Sequence, residues 1–185
     1  MVTHDSELVV YWDDIMLEHQ PEAGAFQRES TPLLAFDQPH PDREERMRNI
    51  KRIIEQTLEE YTSWQSVSPA NEDDLTNVHE KEYIADFKAF CEQGGGRLTD
   101  FTAVNEASYD AAKYAAGAAI HAAQDAIKTE VSKVPYALCR PSGHHAQPAQ
   151  ADGYCFFNNI AIAAESLIQS GQAQNVAIID WDVHH

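Results

Sequence analysis

Val176-Ala177-Ile178-Ile179-Asp180-Trp181-Asp182-Val183-His184-His185 is the stretch on which the reading of this chain turns. The four apolar residues at its start read as a buried strand of a parallel sheet. Residues two apart on a strand project to the same side. Asp180, Asp182 and His184 are therefore expected to face one way, into the region where open α/β sheets carry their sites. Carboxylates and imidazoles form a divalent-metal ligand set. A catalytic zinc usually takes three protein ligands, and this stretch offers two good ones.

Working back from that stretch, residues 158–170 read as a helix with Ile160, Ala164, Leu167 and Ile168 on one face and Gly171 as its cap. Tyr136-Ala137-Leu138-Cys139 reads as an earlier strand. Strand, loop, helix and strand in that order make a βαβ unit, whose two strand ends deliver their loops to one edge of the sheet. The first of those loops is Arg140-Pro141-Ser142-Gly143-His144-His145-Ala146. Neutral imidazole takes and returns a proton near neutral pH. A base of that kind beside a metal is a hydrolytic arrangement.

The upstream half reads as mixed α and β structure. Leu8-Val9-Val10-Tyr11-Trp12 is β-prone. Residues 20–41 hold Pro21, Pro32, Pro39 and Pro41 and read as a long irregular loop. Asp42, Glu44 and Glu45 suit a helix start, followed by Met47, Ile50, Ile54, Leu58 and Tyr61 at helical spacing. Leu75, Val78, Tyr83, Phe87 and Phe90 suggest further helix ended by Gly94-Gly95-Gly96. The alanine-rich stretch 106–128 has the short side chains that let a helix pack close to a sheet.

At 185 residues, with 43% hydrophobic and 9% aromatic content, the chain suits one globular domain. No apolar run approaches the length of a membrane span, and the N-terminus carries acids where a signal peptide has Lys or Arg. A cytoplasmic protein is the expectation. Cys91, Cys139 and Cys155 lack CxxC spacing and read as reduced thiols. A formal net charge of -17 disfavours direct nucleic-acid binding and is compatible with a cationic substrate. His4, His19, His40, His79 and His121 show no ligand spacing and read as surface or packing residues.

Three motifs in order, RPSGHHA (140–146), GYCFFNN (153–159) and IDWDVHH (179–185), resemble the zinc-dependent histone deacetylase family. The Trp between the two acids and the CFFNN segment are most similar to its class II branch, and to histone-deacetylase-like and acetylpolyamine amidohydrolases. HPDREER (40–46) and DLTNVH (74–79) resemble earlier segments of the family. The resemblance runs from about Tyr11 to the last residue. It implies a three-layer α/β/α fold with a mainly parallel sheet, of the arginase/deacetylase kind. Residues 1–185 would be the N-terminal portion, about half, of a single domain.

The resemblance also implies roles. Asp182 and His184 would hold the zinc, with a third ligand, another Asp, from much further along. His145 would match the general base, and His144 its electrostatic partner oriented by Asp180. Asp180, Asp182 and the His184 carbonyl would match a monovalent-cation site, usually potassium. Gly153 and Tyr154 would match the tunnel wall around an acyl-lysine stem, where the family usually has Phe in place of Tyr. Arg43 would match an arginine at the tunnel base. The expected reaction is hydrolysis of an N-acyl amine, with acetyl-lysine or acetylated polyamines as substrates.

One departure concerns length. Family members continue past the His pair with a glycine-rich segment, the third zinc ligand and a transition-state-stabilising Tyr or His. None of these is in the sequence. Two expectations follow. One is the N-terminal part of a deacetylase, cut by a gene break, a frameshift or a cloning boundary, with negligible activity alone. The other is a non-catalytic fragment or subunit completed by a partner, either a homo-oligomer or a complementing C-terminal chain. An arginase-type ureohydrolase shares the fold but expects a DxHxD pattern, which His184-His185 and the GHHA loop do not match.

Overall fold

In a computed structural model of the chain, the residues described are 6–21, Leu33, Ala35, 39–99, 102–128 and 132–184. The irregular loop expected over 20–41 lies largely outside them, as does His185.

A parallel sheet of three strands in the order β2-β1-β5 forms the centre. β1 is Glu7–Tyr11, β2 Thr62–Gln65 and β5 Lys133–Ala137. Val9 and Val10 are neighbours on β1 and point to opposite faces, yet both are buried. Both faces of the sheet are therefore covered. On the Val10 face lies α1, Glu44–Thr57, whose Lys51 ammonium sits 5.6 Å from the ring centres of both Trp12 and Trp64. On the Val9 face lies α4, Ser108–Lys128, whose His121 meets the Tyr11 ring edge-on at 6.2 Å. The expected three-layer α/β/α arrangement, with its mainly parallel sheet, is the observed one.

The alanines of α4 serve two cores at once. Ala115, Ala118 and Ala122 belong to the sheet cluster that holds Val9 and Tyr11. Ala112 and Ala116 pack on a second, aromatic cluster built from Phe87, Phe156 and Phe157. Small side chains on both flanks allow this double contact.

The segment around Leu75–Phe90 forms two helices, α2 (Glu72–Thr76) and α3 (Lys81–Glu92). Asn71 and Asp74 close a capping box at the start of α2. The break falls at buried His79, and the Glu80 amide leaves the helical pattern to donate to the Pro148 carbonyl at 2.9 Å. Gly94, with φ +102, follows the end of α3 as expected. A short antiparallel hairpin, β3 (Gly96–Thr99) with β4 (Thr102–Val104), leads into α4. Among α1 positions, Met47 and Ile54 are buried, whereas Leu58 lies past the helix end and is exposed.

Two expectations about the C-terminal unit need correction. Helix α5, Asn159–Gln169, forms where expected, but its buried face is Ile162, Ala163 and Leu167, turned toward α4. Ile160 and Ile168 are exposed. The helix is apolar nearly all round, and such a helix offers two candidate faces. Second, Val176–Ile179 forms no strand. Among the described residues no backbone hydrogen bond ties it to β5, and Ile179 is 81% exposed. An extended apolar run becomes a strand only with a ladder partner. Val134 and Tyr136 on the β5 edge are exposed too.

Candidate active site

The loop after β5 is built around a buried arginine. Arg140 is 0% exposed, and its guanidinium donates to the carbonyls of Met16 (2.9 Å) and Asp42 (2.9 and 3.2 Å). Its Nε lies 3.7 Å from the Asp42 carboxylate, which also meets Arg46 at 3.3 Å. Burial raises the Asp42 pKa even against these two cations. The pair fastens the loop to the start of α1 and to the turn after β1.

The histidine pair follows. Gly143 permits it: a Cβ there would lie 2.6 Å from the Asn159 amide. Asn159 in turn donates to the Pro141 carbonyl at 3.1 Å, so the N-terminus of α5 rests directly on the loop. The rings of His144 and His145 lie 4.1 Å apart. His144 Nδ1 is 2.8 Å from Asp180 Oδ2. This bond spans from the loop after β5 to the segment after α5, so both loops meet at one edge although the second strand is absent. The Asp180 pKa is lowered, first by the Asp182 amide and then by His144.

The DWDVHH stretch curls instead of extending. The Asp182 amide donates to Asp180 Oδ1 at 3.0 Å, and the His184 amide to Asp182 Oδ1 at 2.8 Å. These successive side-chain-to-backbone turns put Asp182 and His184 on the same cleft as the histidine pair, while Trp181 is 89% exposed. The His184 amide is also the main cause of the lowered Asp182 pKa.

The cleft has a volume of about 800 Å³. His144, His145, Asp182 and His184 line one part, and Gly153, Tyr154 and Arg46 another. Burial, then the neighbouring His144, lowers the His145 pKa, which keeps that imidazole neutral near pH 7. Arg43 is exposed at the N-cap of α1 and does not line the cleft; Arg46, one turn on, does. Among the described residues no three His, Cys, Asp or Glu side chains gather in a metal-holding group. Asp182 and His184 supply two donors of the right chemistry, with His184 Nδ1 3.2 Å from Asp182 Oδ1.

Gly153 and Tyr154 sit at the tip of a tight turn closed by two bonds between Asp152 and Cys155. Both have positive φ, +51 and +68. A Cβ on Gly153 would lie 2.4 Å from His145 Cδ2. Gly153→Ala is therefore expected to displace the His145 ring. It should also cost roughly 1–2 kcal/mol from the left-handed backbone. Histidine ¹⁵N shifts and a thermal melt check both effects.

The Histone deacetylase domain family matches residues 40–185. The chain belongs to the histone deacetylase family. It is 36% identical over 181 residues to a histone deacetylase-like amidohydrolase of Pseudomonas aeruginosa, covering 95% of this chain and 47% of the relative. It is 40% identical over 134 residues to the polyamine deacetylase HDAC10 of Rattus norvegicus, covering 69% of this chain and 23% of that protein. The crystal structure of the HDA15 HD domain superposes with a TM-score of 0.81 at 32% identity, covering 97% of this chain and 48% of that one. The chain thus spans about half the length of the Pseudomonas relative and of the HDA15 domain. Among the described residues of this deacetylase-family chain, no helix is long and apolar enough to cross a membrane.

Two histidines read from sequence as surface or packing residues are buried and make long-range contacts beside the cleft. His79 Nδ1 meets the Gln147 carbonyl at 3.0 Å, and its Nε2 accepts from the Asn158 amide at 2.9 Å. It joins the loop after the histidine pair to the start of α5. His19, beneath Asp42, bonds Ser108 at 2.7 Å. Spacing gave no signal for either, because both act through single long-range contacts; only the DLTNVH segment marked His79. Cys155 is buried and its thiol pushed up to about 12, which suits the expected inert role.

Burial lowers the His19 pKa to about 3 and also lowers those of His40 and His79. The unfolded chain then binds more protons than the folded one below the ordinary histidine value of about 6.5. Stability is complete above that pH and falls as the pH drops toward 3. Asp42, raised by burial, acts in the opposite sense above about pH 4, but one carboxyl stands against three histidines. Each fully titrating histidine contributes a slope of about 1.4 kcal/mol per pH unit. Thermal midpoints should fall between pH 7 and pH 5, and His19→Gln should flatten the slope. A wild-type slope of zero or of opposite sign would contradict the burial of these rings.

Proposed function

We propose that this chain carries the base and two of the metal ligands of a zinc-dependent deacetylase site that hydrolyses N-acyl amines such as acetyl-lysine or acetylated polyamines. The His144–Asp180 bond at 2.8 Å carries the reading, because it draws the GHH loop and the DWDVHH curl onto one cleft. Asp182 and His184 would hold the zinc. When bound, zinc polarises the acyl carbonyl and acidifies water. Asp180 takes the Nδ1 proton of His144 in a hydrogen bond, fixing that ring's tautomer. His145, neutral near pH 7, accepts a proton from the attacking water and returns it to the leaving amine. Asp180 and Asp182, with the His184 carbonyl, would form the potassium site.

Gly153 and Tyr154 would form the wall along the acyl-amine stem. The position of Arg46 on the cleft favours it over Arg43 as the cation near the departing acid. The net charge of -17 favours a cationic substrate. A cytoplasmic setting fits the three reduced thiols.

On this reading the site also needs a third ligand and an oxyanion stabiliser; among the described residues no three metal-ligating side chains gather. The exposed β5 edge, the exposed Ile160 and Ile168, and the unpaired Val176–Ile179 favour cover by further polypeptide of the same domain. The chain by itself is expected to turn over a fluorogenic acetyl-lysine peptide negligibly. Robust turnover that His145→Ala abolishes would overturn the incomplete-site reading.

A further inference from the structure

His40 lies just outside the cleft, half-buried, with its ring centre 4.6 Å from that of Tyr154 in an edge-to-face contact at 75°. Its Nδ1 accepts the Asp42 amide at 3.0 Å, which leaves the proton on Nε2 and fixes the ring's orientation. Asp42 is itself immobilised by Arg140 and Arg46. Tyr154 needs such support. Positive φ at both Gly153 and Tyr154 defines a hairpin turn that favours Asn or Gly, and a side chain as large as tyrosine disfavours it. Gly153, the preceding residue, is packed against the His145 ring with no room for a methyl group.

We propose that His40 is a positioning residue of the cleft: its imidazole holds the Tyr154 ring and, through the Gly153–Tyr154 backbone, the lateral position of His145. The contacts form one continuous line from Arg140 through Asp42, His40, Tyr154 and Gly153 to His145. His40 thereby sets the width of the cleft beside the candidate base without touching the substrate. What the cleft binds rests on the proposed deacetylase function; the mechanical link does not.

Two substitutions separate the ring from its anchor. His40→Asn keeps a side-chain acceptor for the amide two residues on and removes the ring. His40→Phe keeps the ring and removes the acceptor. The readouts are the NMR shifts of the Tyr154 ring and the His145 nitrogens in the whole chain, and the affinity for N-acetyl-lysine methylamide. His40→Asn should move both sets of shifts and weaken the probe roughly two- to tenfold, the range of one aromatic pair. His40→Phe should leave the shifts near wild type and the affinity within about twofold. Wild-type shifts in His40→Asn, or equal displacement in both variants, would overturn the proposal. Should a His40 variant unfold, Tyr154→Leu reads the contact from the other side: the His40 ring shift must then move, and an unmoved shift overturns the proposal. A wild-type chain that binds no probe defeats the functional reading, while the ring shifts still decide the role of His40.

Discussion

Replacing Arg140 by Met should lower the stability of the chain by roughly 3–5 kcal/mol, the cost of breaking a buried ion pair from one side. Arg140 is wholly buried, and its guanidinium satisfies the carbonyls of Met16 and Asp42. Its loss strands those oxygens and leaves the Asp42 carboxylate with only the more exposed Arg46. Asp42 Oδ2 already lacks a hydrogen-bond partner, so this carboxylate has nothing in reserve. Chemical denaturation measures the change. Adding Asp42→Asn to Arg140→Met should recover a substantial part of it, because the uncompensated charge is gone. A single substitution that costs under about 1 kcal/mol, the scale of an exposed pair, would show that Arg140 is not the brace described.

The consequence reaches past stability. Arg140 ties the loop bearing His144 and His145 to the N-terminus of α1, from which His40 and Arg46 approach the cleft. Loosening it should broaden the histidine resonances of the cleft before the chain unfolds.

Much of the sheet and its helices was legible because it rests on local pattern. The β-prone run at Leu8–Trp12 is β1 shifted by one residue, and the alanine-rich stretch is α4. Strand β5 begins three residues earlier than Tyr136 and ends at Ala137. The ladder nevertheless continues, since the Leu138 amide still donates to Tyr11. The tail departs from the expected strand for a physical reason. Periodicity reports which residues want burial, whereas a strand also needs a neighbour to pair with, and Val176–Ile179 has none among the described residues. The same reason explains α5, whose two apolar stripes could not be ranked without knowing which faces α4.

The site was legible in a different way. Asp180, Asp182, His184, His144 and His145 do meet at one edge, through side-chain turns where alternation along a strand was expected. What the sequence concealed was the support: Arg140, His79 and His40 fall inside the quoted motifs, but their roles rest on partners dozens of residues away. The motif pointed to Arg43 for the tunnel base, whereas Arg46, one turn further along α1, is the arginine that lines the cleft.

The second large effect concerns the metal. Asp182 and His184 are expected to supply most of the chain's zinc affinity, weak though a two-ligand site must be. Asp180→Asn should act indirectly, by releasing His144 and the Asp182 amide. A loss of up to about tenfold is expected for such a supporting group. Removing a ligand outright should cost more. Zinc titration by calorimetry into the intact chain, with Asp182→Ala and His184→Ala beside it, tests this most directly. One principal zinc event is expected in the wild type, weakened more than about tenfold in each variant. Zinc binding that both variants leave unchanged would contradict the assignment of this cleft as the deacetylase metal site.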